Sequence, residues 1–554
     1  MPEAELVVIN GRLRTPNGAY SQAAAIAKGH FVAVGASEDI RPLITRHTQV
    51  IDLEGRLTLA AFGDAHVHTV GGGLESLRCN LAGLKTREQY RDVITRYVKD
   101  LRSDDWVLGA GWSMDSFPGG MPEAAELDSM VGDRCAILYN RDHHSAWVSS
   151  AALLRAGITA TTPDPFSGRI ERDSRGNPTG ALHDGAMALV GALVPEPTEE
   201  ELLAGLLAGQ QHLHSQGITH YQDACVGSAA EIGVADSFGA YLRAAREGLL
   251  SASVIGALWW DRMRGIEQIE ELVERRETAG SGPFCATSIK IMLDGVAETE
   301  TAAMSEPYLD ATGGQSLHAG EPFIDQAQLN EIVTSLSERG FQVHIHAIGD
   351  LAVRMALDAY ETVPRGERIA RRHHIAHLQF INPHDISRFG ELGVIANFQP
   401  LWACNDAQMT ELTVPKVGPE RATWQYLISS VAKAGGTLAF GSDWPVSSAN
   451  PLQEIHVAVN RTLYADPRGE QGPSSRTPLL PQEAITLASA VKAFTEGVAF
   501  VNHQQDFLGK IAPGYRGDLC VLDKDIFLTP PDEIAASSVT LTVAAGKVVY
   551  ASQA

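Results

Sequence analysis

Residues 325–346, DQAQLNEIVTSLSERGFQVHIH, hold one complete structural phrase. Asp325 suits a helix N-cap, because its carboxylate accepts a backbone N–H of the first turn. Leu329, Ile332, Val333 and Leu336 recur at helical spacing, and Gly340 stops the run. FQVHIH follows at once with strand character. Helix, short loop and strand form the repeat unit of an α/β barrel. Upstream, Tyr90, Val93, Ile94, Tyr97, Val98 and Leu101 share one face of an amphipathic surface helix, with charges on the other.

The two ends of the chain depart from this rhythm. ELVVI (5–9), a turn at Asn10–Gly11, and AAAIAKGHFVAVG (23–35) with a turn at Lys28–Gly29 read as short strands. GDLCVLD (517–523) and SVTLTVAAGKVVY (538–550) resemble them. The expectation is a small β-sandwich built from about residues 1–60 and 500–554, around a (β/α)8 TIM-type barrel over 61–499. Between about 104 and 186 the clusters SFPGGMPE, TTPDPFSG and DSRGNPTG mark a loop-rich α/β insertion.

A chain of 554 residues with 44% hydrophobic residues buries a large core and exceeds one ordinary domain. Its net charge of −23 opposes binding to phosphate backbones and anionic lipid, so nucleic acid and membranes are not expected partners. The six cysteines lie far apart with no C-x-x-C pair, which fits reduced thiols and encodes neither a disulfide scaffold nor a thiolate zinc site. The first residues, MPEAELVVINGRL, lack the basic and apolar regions of a signal peptide, and no apolar run approaches the roughly 20 residues of a membrane span. A cytoplasmic location is expected.

Several residues bear chemistry. In GDAHVH (63–68), His66 and His68 project from one strand face toward a common point where a metal ion could bind, although H-x-H pairs also occur as plain strand residues. His344 and His346 repeat the spacing, and RRHHIAH (371–377) adds His373, His374 and His377. SIKIMLDG (288–295) puts Lys290 in an apolar strand, where its charge must be paired, snorkelled or modified. TLAFGSDWP (437–445) ends an apolar strand in Asp443, at the end where barrel active sites lie. No Gly-rich phosphate loop or G-x-S-x-G elbow occurs.

Taken together, H-x-H, Lys, His, His and Asp at successive strand ends supply nitrogen and oxygen donors for a two-metal hydrolytic centre. At this point the chain resembles the amidohydrolase superfamily, in its amidohydrolase-3 or YtcJ-like branch, which includes N-substituted formamide deformylases. The resemblance covers nearly the whole chain and rests on AAFGDAHVH, GWSMDSF, DHHSAWVSSAAL, GNPTGALHDGA, GITHYQDA, IKIMLDG, HIHAIGD, RRHHIAHLQ, FGSDWPV and LGKIAPGYRGDLCVLD. It implies His66 and His68 as ligands of one metal, His346 and His377 as ligands of the other, Lys290 as a bridge that is carboxylated in many relatives, and Asp443 as both ligand and proton shuttle. It also implies one or two divalent ions, zinc by default, a small-molecule substrate and a homodimer.

The resemblance implies metal-assisted hydrolysis of a non-peptide C–N bond, with an N-substituted formamide or N-acyl amine as the preferred substrate. A cyclic amide, a deamination substrate, a non-hydrolytic reaction or a non-catalytic binding barrel are the alternatives. His144, Trp112 and Trp147 are expected at the substrate, His344 behind the ligands, and Asp294 as support for the lysine strand. Departures from the pattern are Ala60 and Ala61 before the first metal strand, His143, His374 and Ala376. His143 is expected as a solvated loop residue, with an added ligand as the alternative. Trp106 is expected in the core.

Overall fold

The computed structural model describes residues 3–84, 86–102, 105–165, 168–229, 234–310, 312–464 and 476–552. The insertion boundary expected near 104, part of TTPDPFSG and the last two residues lie outside them.

Eight parallel strands form the central sheet: β1 (Phe62–Val67), β2 (Ile218–Val226), β3 (Ser253–Trp259), β4 (Phe284–Met292), β5 (Gln342–Ala347), β6 (His374–His377), β7 (Ile395–Phe398) and β8 (Thr437–Phe440). They neighbour one another in chain order, as consecutive βα units dictate. The circle is completed past the ends of the ladders. Asp443 N–H donates to the His66 carbonyl at 2.7 Å, and Ser442 donates to Asp64 through its N–H at 3.0 Å and its hydroxyl at 2.6 Å. Gly441 permits this approach, because a Cβ there would lie 2.5 Å from the His66 nitrogen. The barrel is therefore nearly closed, with its first and last strands stitched by side chains and loop backbone.

The segment 325–346 folds as its pattern requires. Asp325 accepts from Gln328 N–H and caps a helix over Gln326–Glu338, which buries Leu329, Ile332, Val333 and Leu336. Gly340 takes φ +88°, a turn that suits glycine, and the chain enters β5. Helix and strand faces of this kind join in one extensive core around the barrel.

Both chain ends contribute to a pair of sheets. One holds Leu6–Ile9, Ala23–Ala27, His30–Gly35 and Gln49–Asp52, and the other holds Arg12–Arg14, Tyr20–Ser21, Leu57–Ala60, Leu519–Leu522, Val539–Ala544 and Lys547–Ala551. Leu6, Val8, Ile26 and Phe31 of the first pack on Leu13, Leu519, Val521 and Val543 of the second. Over the barrel mouth lies a further six-stranded sheet, ordered 168–172, 178–184, 145–148, 136–140, 107–112 and 79–80. Its first strand, Cys79–Asn80, places the start of this layer upstream of the loops at 104. The helix Arg87–Lys99 belongs to the same layer and buries Tyr90 and Ile94.

Candidate metal centre

His66 is the next-to-last residue of β1 with its ring buried, and His68 stands just before the helix Thr69–Leu77. That helix is pulled tightly onto the helix Glu199–Ser215, because Gly73 lies where a Cβ would meet the Gly205 carbonyl at 1.8 Å. Asp223 of β2 secures the same turn, accepting from Thr69 N–H at 3.0 Å, from Cys225 N–H and from the Tyr241 hydroxyl. The loop after β8 returns Asp443 over these rings. Its Oδ1 lies 3.3 Å from His66 Nε2 and 3.0 Å from His68 Nε2, and its Oδ2 lies 3.8 Å from His377 Nδ1. Asp443 and His377 hold φ +55° and +78°, left-handed backbone that costs roughly 1–2 kcal/mol per residue and persists only where the surroundings fix it.

Among the described residues, His66, His68 and Asp443 form the one group of three or more His, Cys, Asp or Glu donors lying mutually within 4.8 Å. Lys290 Nζ comes within 3.4 Å of His66 Nε2. His346 and His377 meet edge to face with ring centroids 4.5 Å apart, but His346 Nε2 is turned toward the Gly295 carbonyl and Asp294 Oδ1, each at 3.4 Å. The second pair of donors is thus adjacent to the first group without converging on it.

Burial dominates the electrostatics. It pushes the His66 imidazole down to about 3 and the Lys290 amine down to about 8, and it holds His346 and His377 well below the ordinary range. For Asp443 burial acts upward, but its contacts with His66 and His68 outweigh it and keep the carboxyl well below its usual value. Neutral imidazoles and a carboxylate are a donor set suited to a divalent ion. Asp443 Oδ1 and His377 Nδ1 are buried without a hydrogen-bond partner, and buried polar atoms in native proteins are seldom left so. The residues present fit a metal ion.

The remaining expected residues divide. His344 stands behind His66, its Nε2 2.9 Å from His66 Nδ1. Asp294 accepts from the N–H groups of Ala303, Ile348 and Gly349, so it braces the loop after β5 more than the lysine strand, and burial pushes its carboxyl up to about 7. His144 lines the cavity, bonded to Asp184 at 2.6 Å, with its ring centroid 6.1 Å from that of His346. Burial acts to lower its pKa, but Asp184 lifts it to about 9. His143 is no solvated loop residue: it pairs with Glu75 at 3.0 Å and stacks on Tyr139. Trp112 and Trp147 do not reach the substrate space. Both are buried around Phe117 inside the inserted layer, where their indole N–H groups donate to the carbonyls of Leu138 and Glu123. Trp106 is buried in a neighbouring core, as expected.

The donors open into a cavity of about 1560 Å³ between the barrel mouth and the inserted sheet. Its tryptophans are Trp259, Trp402 and Trp444, with Trp402 stacked on His377 at 5.3 Å. Sequence reasoning missed these, together with Asp223, Gln222, Glu75 and Asp184. Asp184 and Gln222 sat inside quoted motifs, LHDGA and THYQDA, and Trp444 follows Asp443 directly, whereas Trp402 and Glu75 carry no local mark.

The chain is similar to known proteins over nearly all of its length. The chain is 30% identical to Protein LONG AFTER FAR-RED 3 of Arabidopsis thaliana, covering 99% of this chain and 92% of that one. It is 28% identical to the putative amidohydrolase YtcJ of Bacillus subtilis (strain 168), covering 96% of each, and 25% identical to the N-substituted formamide deformylase of Arthrobacter pascens, covering 94% of each. The crystal structure of an uncharacterized metal-dependent hydrolase from Pyrococcus furiosus superposes with a TM-score of 0.70 at 26% identity, covering 94% of this chain and 99% of that one. Residues 49–550 match the Amidohydrolase family. With the barrel and its His, His, Asp mouth in place, the chain belongs to the amidohydrolase family, in its YtcJ-like branch, and is a metal-dependent amidohydrolase.

Proposed function

We propose that the protein hydrolyses the C–N bond of a small N-substituted formamide or N-acyl amine, with Asp443 as proton shuttle. One observation carries this reading: a buried carboxylate oxygen, without a hydrogen bond, set between the imidazoles of His66 and His68 at the floor of a large cavity. His66, His68 and Asp443 would hold a first ion, and His346, His377 and Lys290 would be the donors toward a second. A bound divalent ion, zinc by default, supplies Lewis-acid polarisation and acidifies water.

Asp443 takes the proton of the attacking water and gives it to the leaving nitrogen, which must be protonated because an amine is otherwise a poor leaving group. Lys290, with its amine near 8, offers the neutral form that would add carbon dioxide with loss of a proton, giving a carbamate with two oxygen donors. His144, cationic through Asp184, directs a hydrogen-bond donor at the substrate's polar end. The cavity exceeds the roughly 300–1,000 Å³ usual for small-molecule sites, and Trp259, Met292, Trp402 and Trp444 on its walls suit an apolar or aromatic N-substituent. The deformylase from Arthrobacter pascens supports the formamide choice by its name and coverage.

The test is amine release by metal-reconstituted protein from N-formyl, N-acetyl and carbamate derivatives of one aromatic amine, with Asp443→Asn as blank. Release from the formyl compound is expected. No release from any member, with metal bound, overturns this reading in favour of cyclic amides or deamination.

A further inference from the structure

Beneath the metal donors lies a buried polar cluster made of Gln222, Gln342, His344, His374, Asn397 and Asn502. Its hydrogen bonds admit one assignment of protons. One end of the Gln342 amide lies 2.8 Å from the Arg372 carbonyl and 2.7 Å from the Val501 carbonyl. Carbonyls only accept, so that end is the NH2 and the other end is the oxygen. The Gln222 atom 3.0 Å from this oxygen must then be its own NH2, which also reaches Asn502 Oδ1 at 3.0 Å. Gln222 Oε1 consequently faces His344 Nδ1 at 2.8 Å and His374 Nε2 at 3.1 Å, and both of those nitrogens carry hydrogen.

A neutral imidazole has one N–H, so His344 Nε2 is an acceptor, and the His66 Nδ1 at 2.9 Å must be its donor. His374 gives an independent check: its Nδ1 is left as an acceptor, and Asn397 Nδ2 stands 3.2 Å away to supply it. The same Asn397 group donates to the Ala65 carbonyl at 2.9 Å, next to His66. His66 Nε2 is thereby left as a lone pair that can only accept, 3.4 Å from Lys290 Nζ and 3.3 Å from Asp443 Oδ1, which is also an acceptor. Two acceptors facing each other in a buried site call for a cation between them.

We propose that Gln222 is a positioning residue that acts through His344 to lock His66 in the Nδ1–H tautomer, so that Nε2 is presented to the ion. This rests on the reading that His66 holds a metal. Partners beyond the direct ligands commonly change metal affinity by about 10–100-fold. Gln222→Met fills the space but removes both ends of the amide. Gln222→Glu, buried and therefore protonated, keeps a C=O acceptor and an O–H donor and serves as the rescue.

Two readouts decide it. In metal-free protein with 15N-labelled histidine, the His66 signals, identified by their loss in His66→Gln, should show the proton on Nδ1. Cobalt(II) affinity, measured by chelator competition, should fall about 10–100-fold in Gln222→Met and return to within a few-fold in Gln222→Glu. A His66 proton on Nε2 in the wild type overturns the proposal even if Gln222→Met fails to fold, and so does unchanged cobalt affinity in a folded Gln222→Met. If cobalt binds the wild type and His68→Ala equally, the metal reading falls, while the nitrogen spectrum still decides the relay.

Discussion

The barrel mouth and the inserted sheet both set histidines beside carboxylates, and they arrange them differently. In the sheet each ring has its own acid: His144 with Asp184 at 2.6 Å, His183 with Glu171 at 3.2 Å, and His143 with Glu75, from the helix after β1, at 3.0 Å. At the mouth His66 and His68 share one oxygen of Asp443, and His377 approaches the other. One ring per acid is satisfied by a proton. Several rings converging on one acid leave lone pairs facing each other, and an ion meets that need better than protons do. The same residue types thus produce a braced wall in one place and a ligand set in the other.

Removing the shared acid tests this contrast most severely. Asp443→Asn should lower kcat by about 10²–10⁴-fold, the range of a lost proton-transfer group, with the circular dichroism spectrum unchanged; turnover within a few-fold of wild type would make the mouth just another set of pairs. Next, Trp147→Ala should cost about 3–5 kcal/mol of stability, as for other buried large aromatics, and leave kcat/KM intact at temperatures where the protein is folded. A change in KM without destabilisation would return Trp147 to the substrate space.

The His144–Asp184 pair gives a smaller effect with a defined sign. Burial alone lowers this imidazole, but Asp184 raises it from 6.5 to about 9, so the pair's stabilisation is complete below 6.5 and is lost as pH climbs toward 9. Stability should fall through that window by at most about 1.4 kcal/mol per pH unit, and His144→Gln should flatten the profile of Tm against pH. Smallest is Glu75→Gln. The pair it breaks is partly exposed, so unfolding free energy should change by less than about 1 kcal/mol. The His143 titration should nonetheless move down, because Glu75 holds it up against burial; an unmoved titration would detach the two residues.

Much of this architecture is legible along the chain. The capped helix and strand over 325–346 carry their periods locally, and His66, His68 and Asp443 stand out because metal-donor side chains close apolar strands. What escaped depends on distance. His143 meets Glu75 and Gln222 meets Gln342 only after folding, and neither spacing announces the other. Trp112 and Trp147 lie in motifs shared with the family, GWSMDSF and DHHSAWVSSAAL, and that membership does not tell whether a side chain meets a cavity or another layer. His346 was read by its motif, yet the direction of its ring follows from Gly295 and Asp294 on the neighbouring strand's loop.

The stitched seam between β1 and β8 has a consequence for synthesis. Its two sides, Asp64 and Ser442, are 378 residues apart. At about 5–20 residues per second a ribosome spends roughly 20–75 s between them. Throughout that interval the nascent chain holds His66 and His68 without the carboxylate that completes their set. The centre is therefore assembled only once β8 has emerged, and a chain stalled before residue 437 carries two of its three donors and no means of gathering the third.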